Sequence, residues 1–123
     1  MATIAPTINR DVGASGSVIT VTWVLPTNGD VGQPFRLDRF AASSIQVYGT
    51  AVTALAINGS NDASAPTNFN ALRDWNGNSL GALNAAGFFA PRDMPIWIQP
   101  TLTTGTAVTV AVALHRQDIG AAG

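Results

Sequence analysis

The residues able to do chemistry are few in this chain. His115 is its only histidine, and it follows an apolar run directly before Arg116. A Ser-His-Asp arrangement would need one serine selected by a tight turn, and no Gly-x-Ser-x-Gly elbow occurs. All seven acidic residues are Asp, and none stands in an Asp-Thr-Gly or Asp-Ser-Gly motif. Two placed carboxylates would serve glycoside hydrolysis, but nothing in the spacing selects a pair. Without cysteine there is no disulfide, thiolate zinc site or iron–sulfur cluster. Without lysine there is no Schiff base and no P-loop; without glutamate there is no complete EF-hand and no HExxH protease. The residues therefore predict neither an enzyme nor a bound cofactor or metal.

Two loops are rich in oxygen donors. They are Asn58-Gly59-Ser60-Asn61-Asp62 and Asp74-Trp75-Asn76-Gly77-Asn78. Calcium takes such ligands, but the same residues are the ordinary formers of turns, which is the expectation here. Trp23, Trp75 and Trp97 are the candidates for a sugar-stacking face. Trp23 alternates with Ile19 and Val21 and should point inward. Trp97 should point opposite to Ile96 and Ile98. Trp75 sits at the shoulder of an Asn-Gly hairpin and should be exposed.

The elements that would position these residues read as strands. In Val18–Leu25, Ile19, Val21, Trp23 and Leu25 share one face at period two. Shorter runs follow within 31–43, 44–50, 52–58, 69–73, 79–83 and 87–89. The run 95–102 is bounded by prolines, which predicts an edge strand or a bulge. Thr104-Gly105-Thr106 reads as a hairpin turn. In 107–115, Val108, Val110, Val112 and Leu114 form one face, and Ala107, Thr109, Ala111 and Ala113 form a small, nearly apolar second face. About eight short antiparallel strands at even spacing, with no sustained helical period, predict an all-β, jelly-roll-like sandwich. We divide the chain into an extended N-terminal arm (1–17), the sandwich (18–117) and a C-terminal tail (118–123).

The 123 residues suit one domain, and 46% of them are hydrophobic, enough for a core. Charged residues make up 11%, against about 25% in an average domain, and the net charge is −1. Nucleic-acid binders carry a basic stripe, which is missing. No run is apolar over the length of a membrane span, and the first residues do not read as a targeting signal. No nucleic-acid or membrane partner is expected. So sparse a charge fits either a small neutral β-domain or a surface covered by neighbours in an assembly. The arm, with Ile4, Ile8 and Val12, has apolar side chains to bury against a neighbour.

From Ser43 to Arg116, about three-fifths of the chain, the sequence resembles a type of small tailed-phage virion protein. The features are Ser-Ile-Gln-Val-Tyr-Gly-Thr (44–50), Ile-Asn-Gly-Ser-Asn-Asp (57–62), and a polar loop ending in Phe69. They continue with Arg73-Asp74 through Gly77-Asn78, Ala90-Pro91-Arg92 leading to Trp97-Ile98-Gln99-Pro100, and the closing strand 107–114. Phe69 stands where the pattern has Trp, and Gln99 where it has Arg. The resemblance implies a head decoration (cement) protein, or a close virion relative, without catalytic residues. It implies the major capsid protein as partner, the capsid exterior as location after synthesis in the host cytoplasm, and a homo-oligomer, a trimer rather than a dimer. For capsid or subunit contacts the residues themselves suggest the arm (Ile4, Pro6, Ile8, Arg10) and the loop residues Arg36, Arg39, Trp75 and Arg92. The arm is extended and apolar, and arginines clamp carboxylates bidentately. Two other classes fit the same residues: a carbohydrate-binding β-sandwich module with a platform at Trp75, and a low-copy tail, neck or fibre component.

Overall fold

The computed structural model describes residues 2–12, 18–37 and 40–116. They form nine strands: β1 (Thr3–Ile4), β2 (Thr7–Val12), β3 (Val18–Leu25), β4 (Val31–Gly32), β5 (Phe35–Arg36), β6 (Phe40–Ser60), β7 (Asn70–Ala71), β8 (Gly87–Phe89) and β9 (Trp97–Arg116). The fold is an all-β, jelly-roll-like sandwich, with no helix among the described residues.

Two strands dominate. β6 has 21 residues and β9 has 20, and they pair antiparallel from Phe40↔Arg116 to Ser60↔Trp97. No such ladder stays flat and also closes a core. It turns a corner where Gly49, Ala51 and Val52 meet Gly105, Thr106 and Val108, and register shifts follow at Val52/Ala54 and Ala54/Leu55. Bends and bulges of this kind let one strand serve two layers. On one side of the corner, residues 108–116 and 40–49 belong to a layer ordered β2-β3-β9-β6-β8. On the other, residues 97–106 and 51–60 run between β4 and β5 on one flank and β7 on the other, and β1 adds to β4.

The core lies between the layers and follows from the period-two pattern. Ile19, Val21, Trp23 and Leu25 of β3 are fully buried, as are Val108, Val110, Val112 and Leu114 of β9. They meet Leu55, Ile57, Ile98 and Leu102 from the opposite layer in one cluster. Leu72, Leu80 and Leu83 close its end. The Trp23 indole N–H, buried with its ring, donates to the Gln33 carbonyl at 3.0 Å, so no polar atom is stranded.

Several sequence expectations are corrected. Two expected strands, 44–50 and 52–58, are one strand, because Gly49-Thr50 at the end of the first bends the chain without reversing it. For the same reason Thr104-Gly105-Thr106 is the corner of β9 and not a hairpin turn. The proline-bounded run is interior, flanked on both sides. Pro100 is tolerated there because its missing N–H would point to the flank where Leu102 N donates to the Asp30 carbonyl. That flank is interrupted at Pro100, between β4 at Thr101 and β5 at Ile98. Not every pair is antiparallel, since β1 runs parallel to β4.

The described N-terminal residues, 2–12, lie along their own chain. β1 extends the second layer, β2 pairs with β3 in the first, and Pro6 separates them. The buried Asp30 ties this arrangement to the corner. One carboxylate oxygen accepts from Ala2 N (3.2 Å), and the other from Thr27 N (2.9 Å) and the Thr27 hydroxyl (3.2 Å). The Thr27 N–H chiefly holds its carboxyl below the ordinary value. Next to it Asn28 Oδ1 accepts from Gly105 N at 2.7 Å, and the Pro26 carbonyl accepts from Ala107 N at 3.0 Å. Residues 13–17 and 118–123 lie outside the described chain.

The corner depends on missing side chains. A Cβ on Gly49 would collide with the Ala107 carbonyl, and one on Gly105 would sit 2.5 Å from the Ala51 carbonyl oxygen. Their φ angles, +150° and +155°, also disfavour any L side chain. Gly49→Ala or Gly105→Ala should each cost about 3 kcal/mol, from overpacking against backbone plus strain. Gly77→Ala should cost about 1 kcal/mol, because its φ is +81° but nothing lies within 4 Å. Denaturant titration checks the ranking; equal losses at all three positions would refute the corner argument.

Candidate functional site

The expected contact residues are spread over the molecule. Ile4 is half-buried against the core, Pro6 is half-buried, and Ile8 lies more exposed on the edge strand β2. Arg36 is engaged within the chain. Its guanidinium stacks over the Trp97 ring at 5.6 Å and donates to the Ala63 carbonyl at 3.1 Å. Arg92 faces Asp93 at 3.7 Å, both about two-fifths exposed. Trp75 is 68% exposed at its hairpin tip, as expected. Arg39 and the Arg10 side chain lie outside what is described. The oxygen-rich loop at Asp74 is a turn: Oδ1 of Asp74 accepts from Asn76 N and Asn78 N, both at 2.9 Å. His115 is exposed at the end of β9.

Two surface features stand out instead. The first is the outer face of the layer containing β3. Register places side chains in rows across it: Thr7, Thr22, Ala111, Gln46 and Phe88 in one, Val24, Thr109 and Tyr48 in the next, Asn9, Thr20, Ala113 and Ser44 in a third. Phe88 is 71% exposed, Val24 54% and Tyr48 46%. The described residues of these rows include no Asp and no Arg. The small second face read from 107–113 forms its middle, with Thr109, Ala111 and Ala113 partly exposed. Sequence reading missed Val24, Tyr48 and Phe88. The signal was their outward phase relative to buried neighbours, and it needs the strand order to be read.

The second feature is an open groove of about 590 Å³ at the far end of the other layer. Its wall is the loop after β6. Ser60, buried at the strand end, accepts from Asp62 N. The Asp62 carboxylate then accepts from Thr67 N (2.9 Å), Asn68 N (3.0 Å) and the Asn68 amide. Trp97 Nε1 donates to the Asp62 carbonyl at 2.9 Å, and Asn61 Oδ1 accepts from Ile96 N at 3.0 Å. Opposite, Asp93 accepts from Arg73 N at 3.0 Å and fixes the base of the Trp75 hairpin. Leu72 and Pro95 lie at the bottom and Met94 is exposed at the rim. Sequence reading found one wall, at 58–62. The others come from residues far along the chain.

The N–H groups of Asn68 and then Thr67, with the Asn68 amide, hold the Asp62 carboxyl at about 2, below its ordinary 3.8. Its folded value is depressed, so its stabilisation of the loop is complete above about pH 4 and is lost as pH falls through about 2. The Thr67 and Asn68 amide resonances should therefore titrate with a midpoint near 2. Asp62→Asn should abolish that titration and speed amide exchange of the loop at neutral pH. A midpoint at the ordinary carboxylate value would refute this account of the loop.

No protein-family model matches the chain, and no curated protein is detectably similar in sequence. Among solved structures it is similar to the SPBc2 prophage-derived protein YomS, with TM-score 0.59 and 11% identity over 79% of this chain and 93% of that one. More distant likenesses are a cupin domain from Bordetella pertussis Tohama I (TM-score 0.46, 13% identity, 94% of each chain) and chitosan-binding module 1 of a chitosanase/glucanase from Paenibacillus sp. IK-5 (TM-score 0.48, 13% identity, 85% and 78%). At this identity the likeness to the prophage-derived protein establishes a shared β-sandwich fold.

Proposed function

We propose that this chain is a structural protein of a tailed-phage virion. It binds the outside of the capsid shell as a decoration protein and bridges neighbouring copies of the major capsid protein. The observation that carries the reading is the outer face of the β3 layer. Its rows are regular, made of Thr, Ala, Ser44, Asn9 and Gln46 with exposed Phe88, Tyr48 and Val24, and the residues placed in them include no Asp and no Arg. A protein with so few charges solvates such a face poorly, and covering it removes apolar area from water without desolvating a charge. The fold shared with a prophage-derived protein fits this reading.

The chemistry is adhesion. The exposed Phe88, Tyr48 and Val24 give apolar contacts, and the threonine hydroxyls and Gln46 amide between them give hydrogen bonds. Each copy adds a modest interface, and many copies on one shell, self-associated as trimers, raise its stability together. Attachment without ion pairs varies little with salt.

Quantitative mass spectrometry of purified particles tests the proposal. A ratio to the major capsid protein near one, or a simple fraction set by the symmetry axes, is the expected result. A handful of copies per particle would move the chain to the neck, tail or fibre, and absence would overturn the virion reading. Phe88→Glu and Tyr48→Glu should remove the protein from particles while changing its own stability by no more than about 0.5 kcal/mol. Wild-type protein should stay bound between about 0.05 M and about 0.5 M NaCl; release within that range would contradict an uncharged interface.

A further inference from the structure

We infer that the groove at the end of the second layer is a binding site for an uncharged or amino-bearing oligosaccharide. The groove is separate from the docking face. Its volume, about 590 Å³, falls within the range of small-ligand sites, and it is open to solvent. A sugar presents hydroxyls that both donate and accept, on a ring whose faces carry C–H groups. The groove supplies the complement. Asp93 brings acceptors, Asn68, whose Nδ2 is spent on Asp62, brings its Oδ1, and the Asn61 and Asn70 amides bring donors. Asn61 Oδ1 is held by Ile96 N, which leaves its Nδ2 hydrogens for a ligand. Among the described residues no partner engages the exposed Asn70 side chain. Leu72, Pro95 and the exposed Met94 offer an apolar surface for the ring's C–H face.

The site is also pre-formed. The loop 61–68 is held by the Asp62 bonds to Thr67 and Asn68, by Trp97 on the Asp62 carbonyl, and by Arg36 on Ala63. A ligand entering it orders little that is not already ordered, which favours binding. Charge sets the class. The described lining includes two aspartates and neither Arg nor Lys; Arg92 beside Asp93, at 3.7 Å, offsets one of them, and Asp62 leaves the groove net negative. Phosphorylated, sulfated or sialylated sugars would meet repulsion, while neutral sugars would not and an amino sugar would be attracted.

The test is a titration of the full chain, labelled with ¹⁵N, with four probes: cellotetraose, a tetramer of N-acetylglucosamine, a tetramer of glucosamine and a sulfated oligosaccharide of similar length. At least one of the first three should shift the amide resonances of Asn61, Asn68 and Asn70, and the sulfated probe should not. Asn70→Ala, at an exposed position, should weaken binding about tenfold while leaving the fold intact. Phe88→Glu should bind as the wild type does, even where it no longer joins particles, so the two proposals fail separately. No shifts with the first three probes, binding of the sulfated probe alone, or shifts confined to the Trp75 tip would each overturn the inference.

Discussion

The structure hangs on one close approach of backbone to backbone. Where β6 and β9 turn their corner, Gly49 lies against the Ala107 carbonyl and Gly105 against that of Ala51. No side chain fits between them. Because both strands bend together, one ladder supplies the middle of both layers, and the same pleat faces inward before and after the bend. Val110 and Val112 bury on one side of it, Leu102 and Ile98 on the other. A sandwich joined in this way has no seam to slide along. Its remaining freedom is at the flanks, which the N-terminal residues cover. β2 lies beside β3 and β1 beside β4, and the Asp30 carboxylate bonds both the arm and the loop bracing the corner. A carboxylate so enclosed is retained because each oxygen has an N–H partner.

Much of this was legible in the residues, and the parts that were not share a cause. The β3 strand has the bounds read from period two, and Trp23 is buried as its phase requires. The hairpin at Asp74–Asn78 follows from Asn-Gly and a carboxylate placed to cap two N–H groups. The corner was not legible. Thr104-Gly105-Thr106 has the composition of a reversal, and only the partner strand decides between a reversal and a bend. Pro100 misleads similarly, since its tolerance depends on a break between β4 and β5, far away in sequence. Site legibility divides along the same line. Trp75 is exposed for local reasons and was found. Phe88 and Tyr48 share a face only because β8 pairs with β6 at Gln46 and Val47. Arg36, read as a contact residue, packs on Trp97 and donates to Ala63, contacts that only the folded chain reveals.

The described aspartate side chains share one role. Asp30, Asp62, Asp74 and Asp93 all spend carboxylate oxygens on backbone N–H groups of turns and loop ends. Such bonds hold loops that a small sandwich cannot cover with hydrophobic packing. Fixing loop ends rather than solvating strands leaves the strand faces to neutral side chains. The same economy therefore yields firm loops together with face rows that, among the described residues, hold no Asp and no Arg.

These features sit on different layers. The face spans β2, β3, β8 and the parts of β6 and β9 on one side of the corner, whereas the groove begins at Gly59–Asp62, beyond it. Between them lies the packed core, which passes little small displacement from one to the other. A partner covering the face would leave the groove open, and a ligand in the groove would not compete for the face. Occupation of one surface, whose described rows hold no Asp or Arg, would therefore not exclude occupation of the other, which Asp62 and Asp93 line. The corner makes this possible, because it separates the surfaces in space while keeping both on the same pair of strands.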